Sequence, residues 1–140
     1  MPGLSLEIAN RIATAAVAKA RDMGIPPVTV VVLDAHGHPV TMQREDGASM
    51  FRFDVAMGKA WAAIGMGAAS RVLAERAKDN PNFFVALAAT ADGRFLPQPG
   101  AVLIRDAGGS VIGAAGASGG TGDEDEAVCA AGVIAAGLST

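Results

Sequence analysis

Several residue types are scarce in this sequence, and each scarcity excludes a class of protein. The 140 residues include one cysteine, no tyrosine and two histidines, which excludes an internal disulfide and a cysteine-based zinc site. No apolar run approaches the ~18 residues that a membrane-spanning helix needs. The formal net charge of -3 provides no overall basic field to attract nucleic acid or an anionic membrane.

Small and apolar residues are abundant instead. Hydrophobic residues make up 51% of the chain and charged residues 18%, a balance typical of a folded domain. The length is that of one domain, so we predict a single domain over residues 1–140. The first twenty residues carry Glu7, Arg11 and Lys19 and lack the apolar core of a secretory signal. We therefore expect a cytoplasmic protein.

Helical periodicity is clearest near the two ends of the chain. Ser5 is placed to cap a helix that runs to about Met23, where Gly24 and two prolines stop it. The pattern also predicts helices from about residue 50 and over residues 71–79. The segment "DEDEAVCAAGVIAAGL" predicts a last helix, with acidic residues at its start as the helix dipole favours. Residues 83–100 fit a helix or a strand, followed by a loop.

Two β-hairpins are predicted between these helices. The first joins strands at 28–34 and 39–45, and the second joins "AVLIRD" to "SVIGAAGA". Their turns share a pattern, "DAHG" at 34–37 and "DAGG" at 106–109, so the turn geometry does not require a histidine. Strands this apolar need cover on both faces. The order of elements therefore predicts an α/β fold, a three-layer α/β/α sandwich with a central, mainly antiparallel sheet.

Lys59 is the most informative charged residue, because nearly all its neighbours in "VAMGKAWAAIGM" are apolar. Arg52 lies two helical turns earlier on the same stripe. Two interpretations stay open for Lys59: a structural ion pair, with Asp46 or Asp34 as partner, or a functional cation in a pocket. Arg44 could add a bidentate carboxylate contact. Together the three cations predict a pocket for a carboxylate-bearing ligand, between the first hairpin, this helix and the acidic loop at 118–126.

The two histidines, His36 and His38, also have two interpretations. They are a solvated hairpin tip, or they are ligands for iron, zinc or copper. Cys129 lies in an apolar helix and is predicted to be a buried, inert thiol.

The loop "SGGTGDEDE" precedes the last helix. It has no Walker lysine and no complete dinucleotide fingerprint, and its acids would repel phosphate, so we expect no nucleotide site. The acids are placed to neutralise the helix dipole; the alternative is a general base or metal carboxylate from Asp123, Glu124 or Glu126. Thr121 is a candidate ligand contact in the same loop.

Three motifs give the chain a family resemblance. They are "REDGA" at 44–48, "KA" at 59–60, and "GAS…DEDEAVCA" near the end. Together they resemble the GlcG/HbpS family of haem-binding-protein-like domains, similar to the C-terminal domain of PduO-type proteins. The resemblance implies an α/β/α fold with a five-stranded sheet, and homo-oligomers. It also implies haem or a related tetrapyrrole as a ligand of some members.

The sequence departs from the family pattern in two places that affect the site. Arg52 stands where the family has a serine. The first helix contains no histidine, although haem-binding members often use one there. Haem could therefore take a histidine ligand only from His36 or His38, with methionine or Thr121 as weaker choices.

Two functions follow as hypotheses. The first is a small-molecule-binding domain of this family, with haem or a small organic acid as ligand. The second is a cofactor-free lyase or isomerase acting on a small catabolic intermediate. Lys59 would be the base or the anchor, and Asp46 or an acid of the 123–126 cluster, with Glu124 as the named candidate, would be its proton partner. A purely structural, oligomer-forming partner of another enzyme is a third alternative. We expect a homo-oligomer because the last helix has little polar face.

Overall fold

A computed structural model describes residues 3–140, which form five helices and four strands. The helices are α1 (Leu6–Met23), α2 (Phe51–Met66), α3 (Ser70–Asp79), α4 (Pro81–Thr90) and α5 (Gly122–Ala135). The strands are β1 (Thr29–Asp34), β2 (Pro39–Arg44), β3 (Ala101–Arg105) and β4 (Val111–Ser118). The predicted order of helices and hairpins is confirmed, and the ambiguous segment after residue 80 begins as a helix.

The first helix begins and ends where the sequence predicts. The Ser5 hydroxyl oxygen accepts a hydrogen bond from the backbone N–H of Ile8 at 3.1 Å. Gly24 follows the last helical residue, and its N–H donates to the carbonyl of Arg21. A side-chain cap at the start and a left-handed glycine at the end satisfy backbone groups that an uncapped helix leaves free.

The sheet is antiparallel throughout, with strand order β2-β1-β4-β3. This confirms the predicted mainly antiparallel sheet. The expectation of five strands is wrong for residues 3–140, which contain four. Ser139 makes a single bridge to Arg105 on the outer edge of β3, with N–O distances of 2.7 and 3.2 Å. One residue pair does not make a strand, although it lies where a fifth strand would add.

Strand β1 is covered on both faces, as its continuous apolar run predicts. Val30 and Val32 pack in one hydrophobic cluster with α1 and α5. Val31 and Leu33 pack in another with α2. The alternation follows from the two-residue period of a strand. None of the helices in residues 3–140 has both the length and the apolar character needed to cross a bilayer.

The two hairpin turns have the same construction. The Oδ1 atom of Asp34 accepts the backbone N–H groups of His36 and His38 at 2.9 and 3.0 Å. Asp106 repeats this pattern with the N–H groups two and four residues later, at 3.0 and 2.9 Å. Each turn also places a glycine at positive φ, 84° and 85°. An aspartate and a glycine therefore shape both turns, and the hydrogen bonds of the first turn come from histidine backbone N–H groups.

Both turns lie at the same end of the sheet, because Asp34 at the end of β1 pairs with Gly113 near the start of β4. We call this the turn end. At the opposite end Thr29 lies between Arg44 of β2 and Ser118 of β4, and we call this the basic end. The six residues of β1 separate the two ends by roughly 17 Å, at ~3.3 Å per residue.

Candidate functional site

Lys59 lies buried near the basic end, with only 5% of its surface exposed. Its Nζ donates to the backbone carbonyl of Ala117 at 3.0 Å and to Oδ2 of Asp125 at 3.1 Å. The predicted apolar surroundings and acidic partner are therefore present, but the partner is Asp125. Asp46 is exposed in the turn after β2, and Asp34 lies at the other end of the sheet, so the predicted pairing of Lys59 with either of them is wrong.

The sequence prediction did not single out Asp125 within the acidic cluster at 123–126, although its position in α5 carries a signal. It is 1% exposed, and its second carboxylate oxygen accepts the N–H of Gly120 at 2.9 Å. The buried positions of α5 have the spacing i, i+3, i+4, i+7, i+8: Asp125, Val128, Cys129, Gly132 and Val133. An acid on the apolar stripe of a helix needs a buried partner. That pattern singles out Asp125 among the four consecutive acids at 123–126.

Gly100 makes room for the Lys59 side chain. A Cβ atom at this position would lie 2.6 Å from Nζ and 2.8 Å from Cδ of Lys59. The residue also has φ at 136°, a conformation that side-chain-bearing residues rarely adopt. The ion pair therefore depends on a glycine in the loop before β3.

A cleft of about 390 Å³ adjoins the ion pair, and we call it the Lys59 cleft. It forms between α2, the loop before β3 and the start of α5. The loop approaches α2 closely because Gly58 has no side chain, and the N–H of Leu96 donates to the carbonyl of Gly58 at 3.3 Å. The cleft is lined by Val55, Lys59, Leu96, Gln98, Pro99, Thr121, Gly122 and Asp123.

Two donor groups on the cleft wall each have one hydrogen without a protein acceptor among residues 3–140. The Lys59 ammonium carries three hydrogens and uses two of them. The Thr121 hydroxyl oxygen accepts from the N–H of Glu124 at 3.2 Å, and its own hydrogen remains. The cleft also lies at the start of α5, where first-turn amides and the helix dipole favour negative charge.

The acidic residues around the cleft are held by other groups. Glu124 accepts the N–H of Thr121 at 2.8 Å and completes a capping box. Arg71 of α3 contacts both Asp123 and Glu126. Hydrogen bonds to Asp123 and then Glu126 raise the pKa of Arg71 above its usual range. Among residues 3–140 no three His, Cys, Asp or Glu side chains are grouped to hold a metal ion.

The two predicted arginines lie at the basic end but outside the cleft lining. Arg52, near the start of α2, donates from Nη1 to the hydroxyl oxygen of Ser118 at 3.0 Å. Ser118 directly follows the residue whose carbonyl accepts from Lys59. Arg44 is exposed at the end of β2. Of the three cations predicted to line one pocket, only Lys59 lines this cleft.

His36 and His38 are both exposed at the turn end. The Nδ1 atom of His38 lies 3.8 Å from Oδ2 of Asp34. His36 lines a shallow recess of about 360 Å³ with Leu4, Val111 and Ile112. Because the turn end and the basic end are roughly 17 Å apart, the two histidines do not lie beside Lys59. No residue of the first hairpin is among those that line the Lys59 cleft.

Cys129 is fully buried, as predicted, beside the carbonyl of Gly100. Desolvation and then the nearby charge of Asp125 raise the pKa of this thiol far above its usual range. A neutral buried thiol is a poor nucleophile and a poor metal ligand.

A family model described as haem degrading protein HbpS-like matches residues 4–134. The chain belongs to the HbpS-like family. No curated protein sequence matches the chain.

Solved structures of the same fold agree with this assignment. The PduOC:haem complex has a TM-score of 0.88 and 26% identity, covering 99% of both chains. HbpS has a TM-score of 0.82 and 30% identity, covering 96% of this chain and 90% of its own. Klebsiella pneumoniae protein ORFY has a TM-score of 0.87 at 24% identity, covering 98% and 92%, and shows the shared fold alone.

Proposed function

We propose that this protein is a small-molecule-binding domain of the HbpS-like family that holds a small organic acid in the Lys59 cleft. The observation that carries the proposal is the buried ammonium at the cleft wall with one hydrogen left over. An unsatisfied charged donor in a cleft is a strong anchor for a carboxylate, because charge-assisted hydrogen bonds are stronger than neutral ones.

The rest of the cleft suits a small ligand. Its volume of about 390 Å³ is near the lower end of the usual range for small-molecule sites. Val55, Leu96 and Pro99 supply apolar surface, and the Gln98 amide and Thr121 hydroxyl supply polar contacts. Such a cleft matches an acid with a short carbon body and one or two polar substituents.

Haem does not fit the same cleft. Haem iron takes its protein ligand from histidine, cysteine, methionine or tyrosine, and the cleft lining contains none of these. The buried, neutral Cys129 is no substitute. The similar PduOC structure is a complex with haem. If haem binds this protein, we propose that His36 or His38, at the turn end, ligates its iron. There the apolar recess beside His36 would cover part of the ring.

The test for an organic acid uses a pair of variants that separates binding from folding. Lys59→Met alone leaves a buried carboxylate unpaired, whereas Lys59→Met with Asp125→Leu removes both charges together. Titration calorimetry with acetate, lactate and succinate should show binding to the wild type and at least about tenfold weaker binding to the folded double variant. Lys19→Met, on the exposed face of α1, is the control. Equal affinity of the double variant and the wild type would rule out Lys59 as the anchor.

The test for haem is an absorption titration. We expect a shifted Soret band with wild-type protein that is lost in the His36→Ala/His38→Ala variant. A band of the same position and intensity in that variant would exclude both histidines as ligands, and the absence of any shift would exclude haem.

A cofactor-free enzyme is the second candidate, and the Lys59–Asp125 contact at the cleft wall favours it. A lysine and a carboxylate in contact beside a cleft can pass a proton to and from a bound substrate. Glu124 and Asp46, the acids named from sequence, lie respectively in a capping box and on an exposed turn. We therefore assign the acid role to Asp125. Turnover of α-hydroxy or unsaturated acids that persists in the folded double variant would contradict this candidate.

We also propose that the domain is a homo-oligomer. Three large apolar residues are at least half exposed: Phe83 and Val85 of α4 and Ile134 of α5. Exposed apolar surfaces of this kind are commonly buried between subunits. Light scattering that gives the mass of one chain would contradict this.

A further inference from the structure

The basic end of the sheet carries a row of hydrogen-bonding side chains on one face. Arg44, Thr29 and Ser118 are direct neighbours across β2, β1 and β4, and directly opposed residues point to the same face. That face is the one under α2, because Val31, two residues after Thr29, packs against α2. Arg52 of α2 reaches the row from above and donates to Ser118.

Thr29 is the unusual member of the row. It is 0% exposed, and its Oγ1 has no hydrogen-bond partner. Among the buried side-chain N and O atoms of residues 3–140, it is the only one without a partner. Nearly all buried polar groups in folded proteins are hydrogen-bonded. A buried hydroxyl without a partner beside two arginines therefore points to a group that completes the site.

The row combines two guanidinium groups, which only donate, with two hydroxyls, which can donate or accept, and it contains no carboxylate. The Arg52 guanidinium has five N–H groups and uses one, toward Ser118. Neither Arg52 nor Arg44 has a carboxylate within 4.0 Å in residues 3–140, where every ion pair joins other residues. The adjacent acid, Glu45, is occupied by the N–H of Val28 and by Arg21.

We propose that this row is an oxyanion-binding site, distinct from the Lys59 cleft, that takes a carboxylate, phosphate or sulfate group. The guanidinium of Arg52 turns from Ser118 to the bound oxyanion, with Arg44 on the other side. The hydroxyls of Ser118 and Thr29 then donate to the same ligand. The planar fork of arginine is suited to carboxylates and phosphates alike, so the ligand class is a small oxyanion group.

The experiment measures binding of sodium phosphate, sulfate and acetate by calorimetry at constant ionic strength, with chloride as the reference salt. We expect at least one of the three to bind the wild type. Arg52→Gln should weaken that binding about tenfold or more. Thr29→Val keeps the shape of the side chain and should weaken binding about fivefold. The ligand-free Thr29→Val protein should melt no lower than the wild type, because the lost hydroxyl had no partner.

The control is Arg76→Gln, which removes one exposed positive charge from α3 and should leave binding unchanged. Arg52→Lys serves if Arg52→Gln does not fold, and should weaken binding because it loses the fork but keeps the charge. Acetate binding that is weakened in Arg52→Gln identifies a carboxylate site in this row, and phosphate or sulfate binding that is weakened there identifies a tetrahedral one. No binding beyond chloride, or equal losses in Arg52→Gln and Arg76→Gln, would overturn the proposal. The Lys59→Met/Asp125→Leu variant should retain the binding that depends on Arg52 and lose only the binding that depends on Lys59. The two proposed sites are therefore tested separately.

Discussion

The two ends of the β-sheet carry polar side chains in opposite circumstances. At the basic end Lys59 and Asp125 are buried, and each charge has two specific partners. At the turn end His36 and His38 are exposed, and the turn is shaped by backbone bonds to Asp34. A charge buried in a low dielectric is stable only when its partners are in place. An exposed charge that lacks a partner is stabilised by water instead. Substitutions at the two ends should therefore have very different costs.

The largest effect is expected for Lys59→Met. The substitution leaves the carboxylate of Asp125 buried without its cation. Removing one partner of a buried ion pair typically lowers the free energy of unfolding by about 3–5 kcal/mol. Urea denaturation should show this loss in the free energy of unfolding. Adding Asp125→Leu should restore much of it, because no unpaired charge remains. A double variant as unstable as Lys59→Met would mean that packing, and not charge, sets the cost.

A second comparison uses two glycines, one at each end. Gly100→Ala places a Cβ atom 2.6 Å from Nζ of Lys59 at φ 136°, whereas Gly109→Ala at φ 85° meets no atom within 4 Å. Gly109→Ala should cost about 1–2 kcal/mol from backbone strain alone. Gly100→Ala should cost about 1–3 kcal/mol more, because it also displaces the buried lysine. Equal losses in thermal melts would show that the lysine adapts without cost.

Sequence patterns predicted the elements of this fold well because each signal was local. Ser5 and Gly24 bound a helix, and the repeated aspartate–glycine turns bound the hairpins. The partner of Lys59 was not singled out because it comes from α5, 66 residues away, and each of four consecutive acids could have supplied it. Only its position on the apolar stripe of α5 distinguishes Asp125 from the other acids. The stripe identifies a buried acid only when it is known which face of the helix packs against the sheet.

Pairing between strands distant in sequence also explains why the first turn lies far from Lys59. The first turn and Lys59 are separated in sequence only by β2 and the first half of α2. However, the pairing of β1 with β4 sets the turn at one end and the lysine near the other. Register between strands distant in sequence is fixed by the whole packed sheet, so the separation of His36 and His38 from the cations could not be read from residue spacing.

A smaller effect is expected from the carboxyl group of Asp34. Partial desolvation raises its pKa, but backbone hydrogen bonds from His38 and His36 and the charges of both rings lower it by more, so the net pKa lies below the ordinary 3.8. A lowered folded-state pKa gives stability that is present above 3.8 and lost as the pH falls through the folded value. Asp34→Asn should therefore be less stable than wild type at neutral pH, and the difference should shrink below pH 3.8. A difference that is constant across this range would assign the effect to the turn geometry alone.

The smallest effect is expected for the His36→Ala/His38→Ala variant. Both side chains are exposed, and the hydrogen bonds that hold the turn come from their backbone N–H groups, which alanine retains. The free energy of unfolding at neutral pH should change by no more than about 0.5 kcal/mol, as for exposed substitutions in general. The pKa of Asp34, followed by NMR, should rise only part of the way to its ordinary value, because the ring charges are lost and the stronger backbone contributions remain. A large loss of stability would mean that the imidazoles hold the turn, and the contrast between an exposed turn end and a buried basic end would then fail.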